Sequence, residues 1–90
     1  MADAPPTDAR AIALLALATA LSDERRARRF LDLTGIGTDE LRARAAEPAL
    51  LAALLRFLEA HEPDLVAVAE AMDVKPGALV AARRELEEIE

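Results

Sequence analysis

The sequence predicts an all-α protein, a single compact bundle of five or six short helices, and three observations predict it. The hydrophobic content of 53 % is carried mainly by Ala and Leu, with aromatic residues at 2 %, so good helix formers far outnumber the residues that favour strands. The stretch from Pro48 to His61, PALLAALLRFLEAH, places apolar residues at 50, 51, 54, 55, 57 and 58 and so stripes one broad helical face. On either side lies a short elbow, LTGIGT at 33–38 and AMDVKP at 71–76. The expected architecture is two helix-elbow-helix units around a central helix.

In chain order, residues 1–6 form a disordered tail, because they hold two prolines and little to bury, and residues 7–90 form one α-helical domain. Thr7 is the expected cap of a first helix running from Asp8 to Leu21. That helix presents Ile12, Leu14, Leu15, Leu17 and Leu21 with alanines between them, and must be covered on more than one side, by neighbouring helices or by a second subunit. Ser22 is the expected cap of the second helix, which ends at Thr34 where Gly35 can turn left-handed. Ala27, Phe30, Leu31 and either Leu33 or Thr34 point inward from it, and Arg25, Arg26, Arg28 and Arg29 outward. Thr38 starts a short third helix through Ala46, and Pro48 suits the first turn of the fourth. Pro63 marks the start of a fifth, Asp64 to Met72. The sixth runs from Pro76 to Glu88, with Leu79, Val80 and Leu86 inward and Ala82 or the stem of Arg83 beside them.

An internal echo relates the two elbows. At an offset of 38 residues, Phe30, Leu31, Gly35, Ile36 and Leu41 fall against Val68, Ala69, Asp73, Val74 and Leu79. Each half then has a helix, a tight turn with a buried aliphatic residue, and a second helix.

Composition narrows the function classes. No Cys is present, which removes disulfides and thiolate metal sites and fits a cytoplasmic location. Met1 to Pro6 lacks the positive region of a secretory signal. The apolar run from Ala11 to Leu21 spans about 16 Å as a helix, half of a bilayer core, so no membrane association is expected. The net charge is −6, and residues 62–90 carry eight acidic against three basic side chains. Such a surface repels nucleic acid.

Chemistry has few participants. The chain holds one His, one Ser, four Thr and one Lys, with no Cys, Tyr, Trp, Asn or Gln. Ser22 sits where a helix cap is wanted and not in a nucleophile elbow. His61 clusters with Glu59, Glu62 and Asp64, but one imidazole without thiolates is a poor offer to zinc, and it suits a helix's last turn. No catalytic residue, metal ligand, cofactor or small-molecule ligand is therefore expected. The run Arg25-Arg26-Ala27-Arg28-Arg29 is the sharper signal, four guanidinium groups within one and a half turns. Glu24, Arg28 and Asp32 stand at successive i, i+4 positions and can pair along their own helix, which leaves Arg25, Arg26 and Arg29 unmatched. The 71–76 elbow has helix-turn-helix spacing, with Arg83 and Arg84 on its second helix. Its first turns, however, hold Pro76, Gly77, Ala78 and Ala81, which have no reach to base edges, and Glu85, Glu87 and Glu88 face phosphate repulsion.

Several motifs carry a family resemblance. RRFLDLTGI at 28–36, Leu41-Arg42, the Glu47-Pro48 helix start, LLRFL at 54–58 and the segment from Lys75-Pro76 to Ala82-Arg83 resemble a group of short helical proteobacterial proteins known as a domain of unknown function. The likeness spans residues 9 to 84, and RFLxLTG is its most specific part. It implies a compact helical fold and transfers no functional residue. Asp73 stands in the second elbow where the resemblance leads one to expect Gly, and it tolerates a left-handed conformation less easily, which leaves open whether that turn differs.

The function expected from these readings is non-catalytic: an uncharacterised small helical domain that acts through protein contacts, self-association included. Its contact residues are expected on the first helix at Leu14, Leu17 and Leu21, or on the fourth at Leu50 and Leu54, with Arg25, Arg26 and Arg29 at the rim. The alternative is a helix-turn-helix-like DNA-binding or transcription-accessory module.

Overall fold

The computed structural model describes residues 8–89, so the expected tail and the Thr7 cap lie outside the described residues. Within them are six helices: α1 (Ala9–Leu21), α2 (Glu24–Thr34), α3 (Thr38–Arg44), α4 (Pro48–Glu59), α5 (Glu62–Met72) and α6 (Pro76–Ile89). None is long and apolar enough to cross a membrane.

Local chemistry sets the boundaries, and it moves two of the expected caps. Asp8 caps α1, its carboxylate accepting from the Arg10 amide at 3.0 Å. Asp23, not Ser22, caps α2, accepting from the Arg26 amide at 3.0 Å. Ser22 instead closes α1, where its hydroxyl donates to the Thr19 carbonyl at 2.7 Å. A carboxylate beside a helix's positive end gains charge-dipole energy that a neutral hydroxyl does not, so the acid takes the cap when both are adjacent. Pro48 and Pro63 each sit in a first turn, where the missing amide costs nothing.

The 38-residue echo is realised to the residue. The bounds 24–34 of α2 recur as 62–72 in α5, and the starts of α3 and α6 are Thr38 and Pro76. Gly35 and Asp73 both take the left-handed conformation, at φ 74° and 60°. The two elbows therefore share their handedness, which answers the question Asp73 left open. Asp73 is held there by two helix-closing bonds, its own amide to the Glu70 carbonyl at 3.1 Å and the Val74 amide to that of Ala69 at 3.0 Å. At Gly35 one bond suffices, its amide donating to the Leu31 carbonyl at 2.8 Å.

The core is centred on α4, which buries Leu50, Leu51, Ala52, Leu54, Leu55, Phe57 and Leu58. Around it pack α1, α5 and α6, with Val68, Ala69, Leu79, Ala82 and Leu86 filling the interior. Phe30 of α2 meets Phe57 edge to face, ring centroids 5.3 Å apart. Val80, expected inward, is only half-buried.

α1 corrects the sequence reading most. Its buried side is Ala9, Ala13, Ala16, Leu17 and Ala20, a stripe at helical spacing, and it packs against α2, α4, α5 and α6. Alanine lets helix axes approach closely, and the Leu side chains of α4 fill the space beyond. Leu14 and Leu15 lie on the other side of α1 and are 37 % and 53 % exposed.

Candidate functional site

Two charged clusters and one apolar face hold the surface chemistry. The first cluster joins α2 to α5. Arg26 Nε donates to Asp64 Oδ1 at 3.1 Å and Arg29 Nη2 to Asp64 Oδ2 at 2.5 Å. His61 Nδ1 lies 3.0 Å from Asp64 Oδ2. The Arg29 guanidinium also stands over the Phe57 ring, 5.2 Å from its centroid. Asp64 is only 6 % exposed. Burial pushes its carboxyl upward, but hydrogen bonds from Arg29, Arg26 and His61 outweigh this and hold it at about 2.

The second cluster ties α4 to α6. Arg83 grips Glu59 with two parallel bonds, Nε to Oε2 at 2.7 Å and Nη2 to Oε1 at 3.1 Å, and reaches Glu87 Oε1 at 2.9 Å. Glu87 also pairs with Arg56. On α3, Arg44 bonds Glu40 at 3.0 Å and Glu47 at 2.9 Å.

These pairings redistribute the residues the sequence singled out. Arg26, expected to point outward as a free rim cation, turns inward and is spent on Asp64, because a buried carboxylate needs a donor on each oxygen. Arg29 is spent on the same carboxylate, though its side chain stays 46 % exposed. Leu17, offered as a contact residue, is in the core, as are Leu50 and Leu54. Leu21 is half-buried against that core. Of the named contact residues, Leu14, Arg25 and Arg29 remain on the surface, Arg29 while bonded to Asp64. Glu24, Arg28 and Asp32 form no ion pair among the described residues. With Arg25 and Arg29 they line an open hollow of about 340 Å³ on the outer side of α2.

Sequence reasoning missed two surface residues and one buried one. Leu15, 53 % exposed, is absent from the expected contact residues, and Leu33, 71 % exposed, shares with Thr34 an expected inward place that Thr34 takes. Asp64 enters the sequence reading only as a neighbour of His61 and as the start of the fifth helix. The 38-residue offset carried the signal, since it sets Asp64 on the position equivalent to Arg26.

The exposed side of α1 reads Arg10, Ala11, Leu14, Leu15 and Ala18. The hydroxyls at its C-terminal end bond their own helix, Thr19 to the Leu15 carbonyl and Ser22 to that of Thr19, both at 2.7 Å. The face is therefore apolar along its middle and offers no free donor from those hydroxyls. The outer side of α6 has Gly77, Ala81, Arg84, Glu85 and Glu88. Among the described residues, no group of three or more His, Asp and Glu side chains could hold a metal ion.

The family model described as "Protein of unknown function (DUF3572)" fits residues 6–88. No curated protein and no solved structure matches significantly.

Proposed function

The chain belongs to this family of proteins of unknown function, and we propose that it is a non-catalytic helical domain acting through protein contacts in the cytoplasm. The observation that carries the reading is α1, apolar on two opposite sides. Its alanine side is consumed by the core, while Ala11, Leu14, Leu15 and Ala18 remain outside. Large apolar side chains grouped on one exposed helix face mark contact sites more often than they serve the monomer.

The fate of the ionisable groups supports the same reading. Asp64 with Arg26 and Arg29, Glu59 with Arg83, and Glu87 with Arg56 satisfy one another across helix pairs, which makes them ties between elements and not groups held ready for a substrate. A DNA-binding role finds less support, because the outer side of α6 is short-chained and acidic and Arg83 is committed to Glu59.

Light scattering behind a sizing column, with affinity capture from native lysate, tests the proposal. The expected result is a second copy or a reproducible protein partner, lost when Leu15 is replaced by Lys. A strict monomer that captures nothing overturns it.

A further inference from the structure

We infer that α2 and α3 form one strap that opens from the rest of the molecule as a cooperative unit, with the pairing of Arg26 and Arg29 to Asp64 as its latch. The ground is an uneven division of packing. Each of α1, α4, α5 and α6 packs extensively against the other three, so these four helices make a core that closes on itself. α2 packs extensively against α1 alone, and α3 against no single helix. Burial follows the same division, since α4 buries seven side chains whereas α2 buries only Phe30 and α3 only Leu41. Leu31 and Ile36 are half-buried against the core. The seam between α1 and α3 holds an open hollow of about 280 Å³, lined by Leu17, Leu21, Thr38, Leu41, Arg42 and Ala45. A segment with so few buried apolar side chains lies at the low end of local stability.

The strap is fastened at one place. Among the described residues, every ion pair from α2 or α3 to the four-helix core ends on Asp64 of α5, from Arg26 at 3.1 Å and from Arg29 at 2.5 Å. Arg44 pairs with Glu40 on its own helix and with Glu47 in the join to α4. Beside the latch, Phe30 meets the Phe57 ring and the Arg29 guanidinium covers it. Within the strap, the Ile36 amide donates to Thr34 Oγ1 at 3.3 Å and that hydroxyl donates to the Phe30 carbonyl at 2.9 Å, so the elbow keeps α2 with α3. The chain leaves the core at residues 22–23 and re-enters it at 45–47, the two joins that turn when the strap lifts. Opening bares Phe57 of α4 while the contacts among α1, α4, α5 and α6 persist.

Native-state amide hydrogen exchange of the full chain in low urea tests this. Opening of a unit exposes surface and so rises with urea, whereas fraying of helix ends does not. In the wild type, the amides of Phe30, Leu31 and Leu41 are expected to exchange at least about tenfold faster than those of Leu55 and Leu58, with a common urea dependence smaller than theirs. Leu86→Ala removes a buried side chain of α6. It is expected to speed exchange at Leu55 and Leu58 and to leave Phe30, Leu31 and Leu41 unchanged, because the open form keeps α6 packed. Asp64→Asn is expected to speed Phe30, Leu31 and Leu41 by about 30-fold or more, because the latch is lost. Strap amides that exchange as slowly as those of α4, that show no urea dependence, or that accelerate in Leu86→Ala overturn the cooperative opening. Strap amides unchanged in Asp64→Asn overturn the latch. The wild-type profile decides the opening even where a variant does not fold.

Discussion

Arg26 and Asp64 hold the same place, the third residue, in α2 and α5, and their side chains meet each other at 3.1 Å. The two halves of the echo thus carry opposite charges at one equivalent position, and the bond between them fastens one unit to the other. The acid stands in the first turn of α5, where the helix dipole favours it. The base approaches from the first turn of α2, and Arg29, one turn further on, closes over the other carboxylate oxygen. A bond between residues 38 positions apart orders the two units in a way that local pairing along one helix cannot.

Removing the carboxylate should therefore cost more than removing a surface acid. Asp64→Asn leaves two guanidinium groups facing a neutral amide in a site with little access to water. A loss of about 2–4 kcal/mol is expected, toward the range for breaking one half of a buried pair. Replacing both partners, Asp64→Leu with Arg26→Met, should recover most of that loss, because the desolvation cost of both charges disappears. Urea denaturation of the single and double variants measures both effects. If the double variant is as unstable as Asp64→Asn, the ion pair is not the source of the loss.

The same carboxylate sets an acid limb of stability. Its folded pKa of about 2 lies below the ordinary 3.8, so the folded state prefers the ionised form more strongly than the unfolded chain does. Stability from this group is then complete above about pH 4 and is lost as pH falls toward 2. The expected size, after allowance for solvent near the half-exposed Arg29, is about 1–2 kcal/mol. Thermal unfolding between pH 5 and 2 should show this loss in the wild type and a smaller one in the Asp64→Leu, Arg26→Met variant.

Helix positions and the elbows were legible because each rests on local chemistry. Pro48, Pro63 and Pro76 mark helix starts, Gly35 marks an end, and the spacing of Leu50, Leu51, Leu54, Leu55 and Leu58 marks the core of α4. The orientation of α1 was not legible. Its apolar residues surround the helix, so periodicity gives no inward direction, and only packing against four neighbours shows that the alanine side is preferred. The fate of the Arg run was hidden for a related reason. Which of four adjacent arginines meets Asp64 depends on the angle between α2 and α5, a tertiary quantity absent from either segment. The cap exchange between Ser22 and Asp23 was a one-residue competition between two good caps.

The two sides of the bundle can be told apart by leucine substitutions. Leu54 is fully buried and Leu15 is 53 % exposed. Leu54→Ala should cost about 2–5 kcal/mol through lost contacts and the cavity left behind. Leu54→Asp adds an unpaired buried carboxylate and should unfold a domain whose whole stability is about 5–10 kcal/mol. Leu15→Asp, on the open face, should change the monomer's stability by no more than about 0.5 kcal/mol. Chemical denaturation at low protein concentration measures all three, and a large loss for Leu15→Asp would mean that its face is covered within the monomer.

The last prediction concerns the two left-handed residues. A Cβ at Gly35 meets nothing within 4 Å, so Gly35→Ala introduces no clash, and its cost is purely that of a side chain at φ 74°. That cost is about 1 kcal/mol, because the Cβ of an L-residue crowds the following carbonyl in this region. Asp73 already bears such a strain at φ 60°, reduced by the tolerance that a short polar side chain has for the left-handed region. Asp73→Gly should relieve it, while the freer unfolded chain takes back part of the gain, for a net stabilisation of about 0.5 kcal/mol. Opposite signs at equivalent positions of the two units are the expected result in thermal denaturation. A destabilising Asp73→Gly would mean that the Asp73 side chain contributes a bond to the elbow that its backbone geometry does not reveal.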